Sequence, residues 1–479
     1  SPRGPENTNA PDGAPNSRFI PLALGEVGAR VIAFTATAYL ARTLGASGFG
    51  QIAFAIAVVS HFGIALAAGI GEVGARDVAR DPDHANRIAA SGVTLRLALA
   101  VAAILGVFAV SSLLNIDPGT RYITWLYAFS IVPLALDTGW VYKGLGRTGR
   151  VGSSLFLSQL LSLVFVLLLV ARPSHTARVP LIQIGSELAA AGFLMIPLMR
   201  GKWHVPVRAA VLDLARRSRL TIASRILRTI VVSFDVVLLG LMVSTVQVGL
   251  YSAAYRIIFF VAAIIVASHT AFVSEAARAT DDTRALSAIL SRTIGMALTV
   301  TIPFVVGGIL IAKPLMTFVF GAEYASGALA LQILLLSLGF LAVHGATRNV
   351  FLALHRMDLE LIFVGAGVVA NVALNLALIP SYGTTGAAIA TVVGEAVILT
   401  GVFASLFSMG IRPALSKSVP AIVSGVAMAA VLLAAGSERP VLQTVAIGGL
   451  VYAISIVVLN LPSMRRAAAL TPKLDGKSV

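Results

Sequence analysis

The sequence predicts an all-α polytopic membrane protein of about 14 transmembrane helices. Three observations carry that prediction. Hydrophobic residues make up 57% of the 479 residues against 12% charged, and mean hydropathy is +0.91. A soluble domain carries roughly 25% charge, so lipid must solvate most of this surface. Apolar runs of about 20 residues, the length that crosses the hydrocarbon core as a helix, recur from one end to the other. The 43 glycines suit closely packed spans, and the short alternating segments of a transmembrane barrel are absent.

The elements follow in chain order. Residues 1–18 are polar and rich in Pro, Asn and Gly, and read as a disordered cytoplasmic tail without the apolar core of a signal peptide. Spans one to six fall at 20–43, 47–71, 88–114, 120–142, 151–171 and 179–199, making an N-lobe of residues 19–200. Residues 201–216 are a basic linker, with a short interfacial helix expected from Val205 to Arg216. Spans seven to twelve fall at 220–243, 248–274, 287–312, 326–354, 359–380 and 384–409, making a C-lobe of residues 217–410. Spans thirteen and fourteen, at 418–436 and 440–461 within residues 411–461, precede a basic cytoplasmic tail, 462–479.

A net charge of +15 resembles a nucleic-acid footprint until its distribution is read. Most Lys and Arg fall in the tails and in alternate loops; the loop at 200–219 alone carries Arg200, Lys202, Arg208, Arg216, Arg217 and Arg219. This is the positive-inside pattern, with both termini cytoplasmic and no call for nucleic acid. The chain has no cysteine and no H-E-x-x-H pair, which excludes a disulfide, a thiolate nucleophile and the commonest zinc motifs. "GLGRTG" (144–149) matches a dinucleotide-binding pattern, yet it sits between two spans instead of between a strand and a helix. It reads as a basic turn, and no cofactor is expected.

Internal repetition organises the rest. "FGQIAFAIAVV" (49–59) overlays "VGLYSAAYRII" (248–258), and "WVYKGLGR" (140–147) overlays "NVFLALHR" (349–356). "IGSELAAAGF" (184–193) overlays "VVGEAVILTG" (392–401), bringing Glu187 within a residue of register with Glu395. The order is kept with nearly the same offset, which predicts a parallel six-plus-six repeat with spans thirteen and fourteen outside it, packed on the second bundle.

The charges inside spans are the candidate site. Arg225, Arg228 and Asp235 interrupt span seven, where a charge costs at least a few kcal/mol. Arg228 lies roughly 13 Å along the helix from Arg219, too deep for easy snorkelling. Span one carries Glu26 and Arg30 as an i,i+4 pair, span eight Arg256, span three Arg96, span four Asp137 and span ten Arg348. One reading is a set of ion pairs fixing helix register. The other is an anion site: the arginines outnumber the nearby acids, and a guanidinium suits phosphate. Arg30, Arg225, Arg228, Arg256 and Arg348 are then the substrate-binding candidates. Glu26, Asp235, Glu187 and Glu395 balance charge or couple transport to a cation; for Glu187 and Glu395 a simple hydrogen bond between helices is the competing reading.

"YLARTLGASGFGQIAFAIAVV" (39–59), "DVVLLGLMVSTVQVGLYSAAYRI" (235–257), "FGAEYASGALALQILLLS" (320–337) and "NLALIPSYGTTGAAIATVVGE" (375–395) resemble polysaccharide-biosynthesis flippases of the multidrug/oligosaccharidyl-lipid/polysaccharide exporter superfamily. The resemblance covers nearly the whole chain. It implies two six-helix bundles in a V around a central cavity, with alternating access, and no enzymatic chemistry. It implies a substrate as well, a polyprenyl-phosphate- or diphosphate-linked sugar or oligosaccharide carried across a bacterial plasma membrane for cell-envelope polysaccharide biosynthesis. Membrane lipids and cell-envelope glycosyltransferases or polymerases are its implied partners. Fourteen spans are closer to the peptidoglycan-precursor flippases, so that substrate stays open. A drug/cation antiporter would want acids and aromatics in the cavity instead of arginines. A membrane glycosyltransferase would need a catalytic acid in a sizeable outer loop, and the outer loops are short.

Overall fold

The computed structural model describes residues 20–200, 206–269, 272–280, 282–436 and 439–470. Within helices it describes the backbone alone at positions 20–24, 26, 64–68, 220, 223–233, 266–269, 273–274 and 462–470. The N-terminal tail, the end of the C-terminal tail, part of the linker, and the side chains of Glu26, Arg225 and Arg228 lie outside the described residues.

Every regular element among the described residues is helical, as lipid demands of a chain that must satisfy its peptide groups internally. In order these are α1 (Ile20–Arg80), α2 (Ala85–Leu113), α3 (Pro118–Ala128), α4 (Ile131–Leu136), α5 (Gly139–Gly144), α6 (Thr148–Leu169), α7 (Arg178–Met199) and α8 (Arg208–Met242). There follow α9 (Thr245–His269), α10 (Val273–Arg278), α11 (Thr283–Leu310), α12 (Ala312–Phe320), α13 (Ala328–Ala353), α14 (Met357–Ser408), α15 (Val419–Ala434) and α16 (Val441–Leu470). Among the described residues, 10 segments are long and apolar enough to cross a membrane. Leu113, Leu168, Leu433, Leu450 and Ile454 are among many large apolar side chains left exposed, as a lipid-facing surface requires. The protein is a multi-pass membrane protein.

Two of the long helices are not straight. α1 breaks at Gly45 (φ 72°, ψ 175°) and α14 at Gly383 (φ 53°, ψ −128°), both inside the gaps the sequence left between spans. A left-handed residue ends the i to i−4 ladder, and only glycine takes it without strain. Past the Gly45 break, the freed amide of Ala46 donates to Glu323 Oε2 at 3.1 Å.

Span four differs from its expected single helix. It is three short pieces, α3, α4 and α5, interrupted at residues 129–130 and 137–138. Pro133 removes one donor, and Asp137 turns out of the helix to accept the Gly139 amide on Oδ1 at 3.0 Å. The carbonyls this strands are answered by one buried side chain. Arg96, on α2, donates to Leu134 O at 2.8 Å and to Asp137 O. Arg96 therefore replaces backbone hydrogen bonds that the broken span gives up.

The same logic recurs at two prolines. Pro197 in α7 leaves Phe193 O without its helical donor, and Arg150 supplies one at 3.3 Å. Pro303 in α11 does the same to Thr299 O, and Tyr452 of α16 donates to it at 2.9 Å. Tyr452 also packs with Met428 and Leu432 of α15 against Ile302 and Val306, so α15 and α16 are fastened to α11. The linker differs from expectation too: no separate interfacial helix forms, because α8 runs unbroken from Arg208 through span seven.

The chain divides into two compact units, Ser1–Leu44 with Phe54–Ser233, and Gly45–Ala53 with Phe234–Val479. The short early segment joins the second unit through a reciprocal small-residue contact. A Cβ on Gly50 would lie 1.9 Å from Thr245 O, and one on Gly249 would lie 1.9 Å from Ala46 O. Gly50 and Gly249 are equivalent in the repeat register, and close approach of this kind is what glycine permits between spans.

Two outcomes follow for stability. Gly249→Ala forces a methyl into backbone and should destabilise by about 1–3 kcal/mol. Gly365→Ala, where a Cβ meets nothing within 4 Å inside α14, should not lower the detergent melting temperature. Arg96→Leu strands two buried carbonyls at about 1–3 kcal/mol each, and Arg96→Lys should recover part of that loss. Equal melting temperatures for Arg96→Leu and wild type would contradict the capping role.

Candidate functional site

The polar groups inside the second unit form a file that begins at Asp235. This aspartate lies near the end of α8 and is buried, at 6% exposure. Its Oδ1 accepts the Val236 amide at 2.8 Å and its Oδ2 accepts the Tyr251 hydroxyl at 2.6 Å. Tyr251 and Tyr255 are one turn apart on α9, with ring centroids 5.0 Å apart. Both hydroxyls approach Thr391 Oγ1 on α14, at 3.4 Å and 3.5 Å. Thr391 gives its own proton to Ala387 O at 3.1 Å, and Tyr251 gives its proton to Asp235. Tyr251 and Tyr255 thus connect Asp235 to Thr391.

Glu395 follows one turn after Thr391 on the same helix. Its Oε2 faces His344 Nδ1 of α13 at 3.9 Å, and the other ring nitrogen faces Glu360 Oε1 at 3.7 Å. Arg348, one turn after His344, reaches the same Glu360 oxygen through Nε at 3.2 Å. The chain thus draws Asp235, Arg348 and Glu395 into one unit and one sequence of polar neighbours. Arg256 is half-buried on α9, next to Tyr255 in sequence.

The remaining candidates lie in the first unit. Glu187 accepts from Gln183 Nε2 at 2.9 Å, one turn back on its own helix. Arg30 is exposed on α1. Arg96 and Asp137 serve the broken span. "GLGRTG" is the turn from α5 into α6, with Gly146 at φ 69° and no strand before it. Ahead of span seven, Arg217 joins Asp77 at 2.6 Å to Asp213 at 2.8 Å, and the hydrogen bond to Asp77 is the main reason its guanidinium is held above the ordinary range. Among the described residues no three His, Cys, Asp or Glu side chains are placed to hold a metal ion.

Sequence reasoning passed over five members of the file, Thr391 among them. Tyr251 and Tyr255 carried a signal, the i,i+4 spacing in "YSAAY" opposite a buried acid. Glu360 stood at the very start of span eleven, just past the "HRMD" turn, and His344 was a single polar residue in an apolar run. Their pairing depends on how α13 and α14 pack, which no local pattern reports.

Comparison with known proteins places the chain. The polysaccharide biosynthesis protein family matches residues 18–273. A probable flippase, AglR, of Haloferax volcanii is 28% identical over 252 residues. That match takes in 50% of this chain and 52% of the relative, so the chain spans about half the length of the curated relative it matches. Among solved structures, the lipid II flippase MurJ in an inward closed conformation superposes with a TM-score of 0.76 at 16% identity, covering 93% of this chain and 99% of that one. An inward-facing multidrug resistance MATE transporter superposes at 0.64 and 18% identity, covering 79% and 94%. These likenesses establish a shared fold. The chain belongs to the polysaccharide biosynthesis protein family.

Proposed function

We propose that the protein is a flippase that moves a polyprenyl-phosphate- or diphosphate-linked glycan from the inner to the outer leaflet by alternating access. The make-up of α8 carries this reading. One unbroken helix holds Arg225, Arg228 and Asp235, and Asp235 has donors for both oxygens from Tyr251 and the Val236 amide. The acid that would neutralise an arginine is thus served without one, which favours an anion from outside the chain. Phosphate fits, because charge-assisted bonds to guanidinium are among the stronger polar contacts and strengthen where water is sparse.

Arg225 and Arg228 are the phosphate partners in this reading, with Arg30 and Arg256 as further candidates. Arg348, which meets Glu360 through Nε at 3.2 Å, is a further candidate. Spans number fourteen: α1 and α14 each cross twice at their glycine breaks, and α3–α5 and α8 cross once each. They form two six-helix bundles, with both termini cytoplasmic. A lipid-linked peptidoglycan precursor is the second reading of the substrate, favoured by the fold likeness to the lipid II flippase over 93% of the chain.

Because the chain has no cysteine, single reporters test the orientation without background. Outside reagent should label Ser244→Cys and Ser326→Cys, and should spare Ser218→Cys and Ser416→Cys. Labelling of Ser416→Cys in intact cells overturns the topology.

Function is tested in reconstituted vesicles with a polyprenyl-diphosphate oligosaccharide and, separately, a lipid-linked peptidoglycan precursor. Arg228→Ala should lower flipping at least about 10-fold, as expected for a loss of 1.4 kcal/mol or more, with the melting temperature kept. Arg228→Lys should recover part of the activity, since a point charge cannot make the two-pronged contact. Full transport by Arg228→Ala combined with Asp235→Ala would reduce Arg228 to an ion-pair partner and sink the phosphate site.

A further inference from the structure

The cluster at the inner part of α13 and α14 has a composition that ion pairing alone does not explain. His344 presents both ring nitrogens to carboxylate oxygens, Nε2 to Glu360 at 3.7 Å and Nδ1 to Glu395 at 3.9 Å. A neutral imidazole has one N–H and one lone pair. In that form one ring nitrogen must point a lone pair at a carboxylate oxygen. The imidazolium, with two N–H donors, fits both sides.

The charge count agrees. Arg348 offsets Glu360, with which it makes the shorter contact of 3.2 Å. Glu395 then stands as an uncompensated anion in a span unless the cluster takes one proton. Glu360 is 6% exposed, and charge at such depth is costly without compensation. The contacts to His344 exceed hydrogen-bond length. His344 Nε2, Glu360 Oε2 and Glu395 Oε2 are buried without a hydrogen-bond partner. Three orphaned polar atoms on three side chains mark a cluster that is loose in this arrangement and can tighten on taking a proton. A metal ion fits less well, since these groups do not converge at ligand distance.

Among the described residues, His344 is the charged partner that faces Glu395. From α9, Tyr255 lies within electrostatic reach of Glu395, and Arg256 lies beside it in sequence. Glu275 of α10 pairs with Arg292 of α11. Lys313 of α12 is exposed, and Glu323, before α13 begins, holds the Ala46 amide.

We propose that His344, Glu360 and Glu395 form a protonation site that couples the transport cycle to a proton gradient. A proton from water bonds to the free ring nitrogen of His344, and the imidazolium then donates to Glu395 and Glu360, drawing α14 onto α13. Loss of the proton to the opposite side releases Glu395. Because Glu395 follows Thr391, and Tyr251 and Tyr255 link Thr391 to Asp235, the change reaches α8, which carries Arg225 and Arg228. The purpose of the site rests on the transport reading; its protonation does not.

Two measurements separate these. In the first, purified protein is shifted from about pH 9 to about pH 6, and proton uptake is read with a dye in weak buffer. Glu395→Gln should change the uptake, although an ordinary glutamate does not titrate there. Identical uptake by wild type and Glu395→Gln overturns the site whatever the protein transports. In the second, vesicles flip a polyprenyl-diphosphate oligosaccharide with and without an imposed pH gradient. Wild type should respond at least about fivefold, and a protonophore should remove the response. Glu395→Gln and His344→Gln should flip at the gradient-free rate. Flipping by wild type that ignores the gradient refutes the coupling and leaves the flippase reading standing. Absence of any flipping, with altered uptake in Glu395→Gln, refutes the flippase reading and keeps the protonation site. Variants that lose melting temperature but keep the full gradient response would make the cluster a helix fastener and overturn the proposal.

Discussion

A peptide group or charge inside a bilayer has no water to fall back on, and each unanswered one costs several kcal/mol. That constraint governs this fold at every departure from a straight helix. Where span four unwinds, Arg96 answers the carbonyls of Leu134 and Asp137. Where Pro197 and Pro303 remove a donor, Arg150 and Tyr452 replace it. Where α1 breaks at Gly45, Glu323 takes the amide that is freed. The breaks are tolerated because side chains from elsewhere in the same unit complete them. The same side chains fasten helices together, as Tyr452 does for α16 on α11.

The constraint also sorts the embedded charges by what they do. Arg96 and Arg150 are taken up by carbonyls, and Arg348 by Glu360. Asp235 is served by a tyrosine and an amide. Glu395 is left facing a histidine that needs one more proton to suit it. A transporter can use both remainders, arginines on α8 that suit an anion and an acid cluster that suits a proton. The polar file from Asp235 through Thr391 to Glu395 joins the two along α8, α9 and α14. Energy taken up at one end then has a physical route to the helix proposed to hold the substrate phosphate.

Much of the fold was legible in the sequence, because lipid makes hydropathy a strong signal. The glycine breaks at 45 and 383 fall in the gaps between the expected spans, and the overlay of residues 49–59 on 248–258 picks out Gly50 and Gly249, which meet in the structure. Span four was legible only as an apolar stretch. Its three pieces depend on Asp137 capping backward and on Arg96 reaching from α2, and neither is a property of the window from 120 to 142. The linker helix merges with span seven because nothing between Arg208 and Met242 breaks a helix apart from one late glycine, Gly240. The candidate site was half legible: charge in an apolar run marks Asp235, Arg348 and Glu395 directly. His344 and Glu360 acquire meaning only from their opposed ring and carboxylate geometry, which arises from packing.

The proposed flippase activity requires that the protein recognise a lipid through its phosphate. The direct measurement is retention of lipid by the purified protein in nanodiscs, read by native mass spectrometry. A polyprenyl diphosphate bearing a sugar is compared with the same polyprenyl chain bearing the sugar without phosphate. The phosphorylated lipid should be retained, less so as salt rises because the contact is electrostatic, and retention should be lost when phosphate is absent. Equal retention of both lipids, independent of salt, would contradict it.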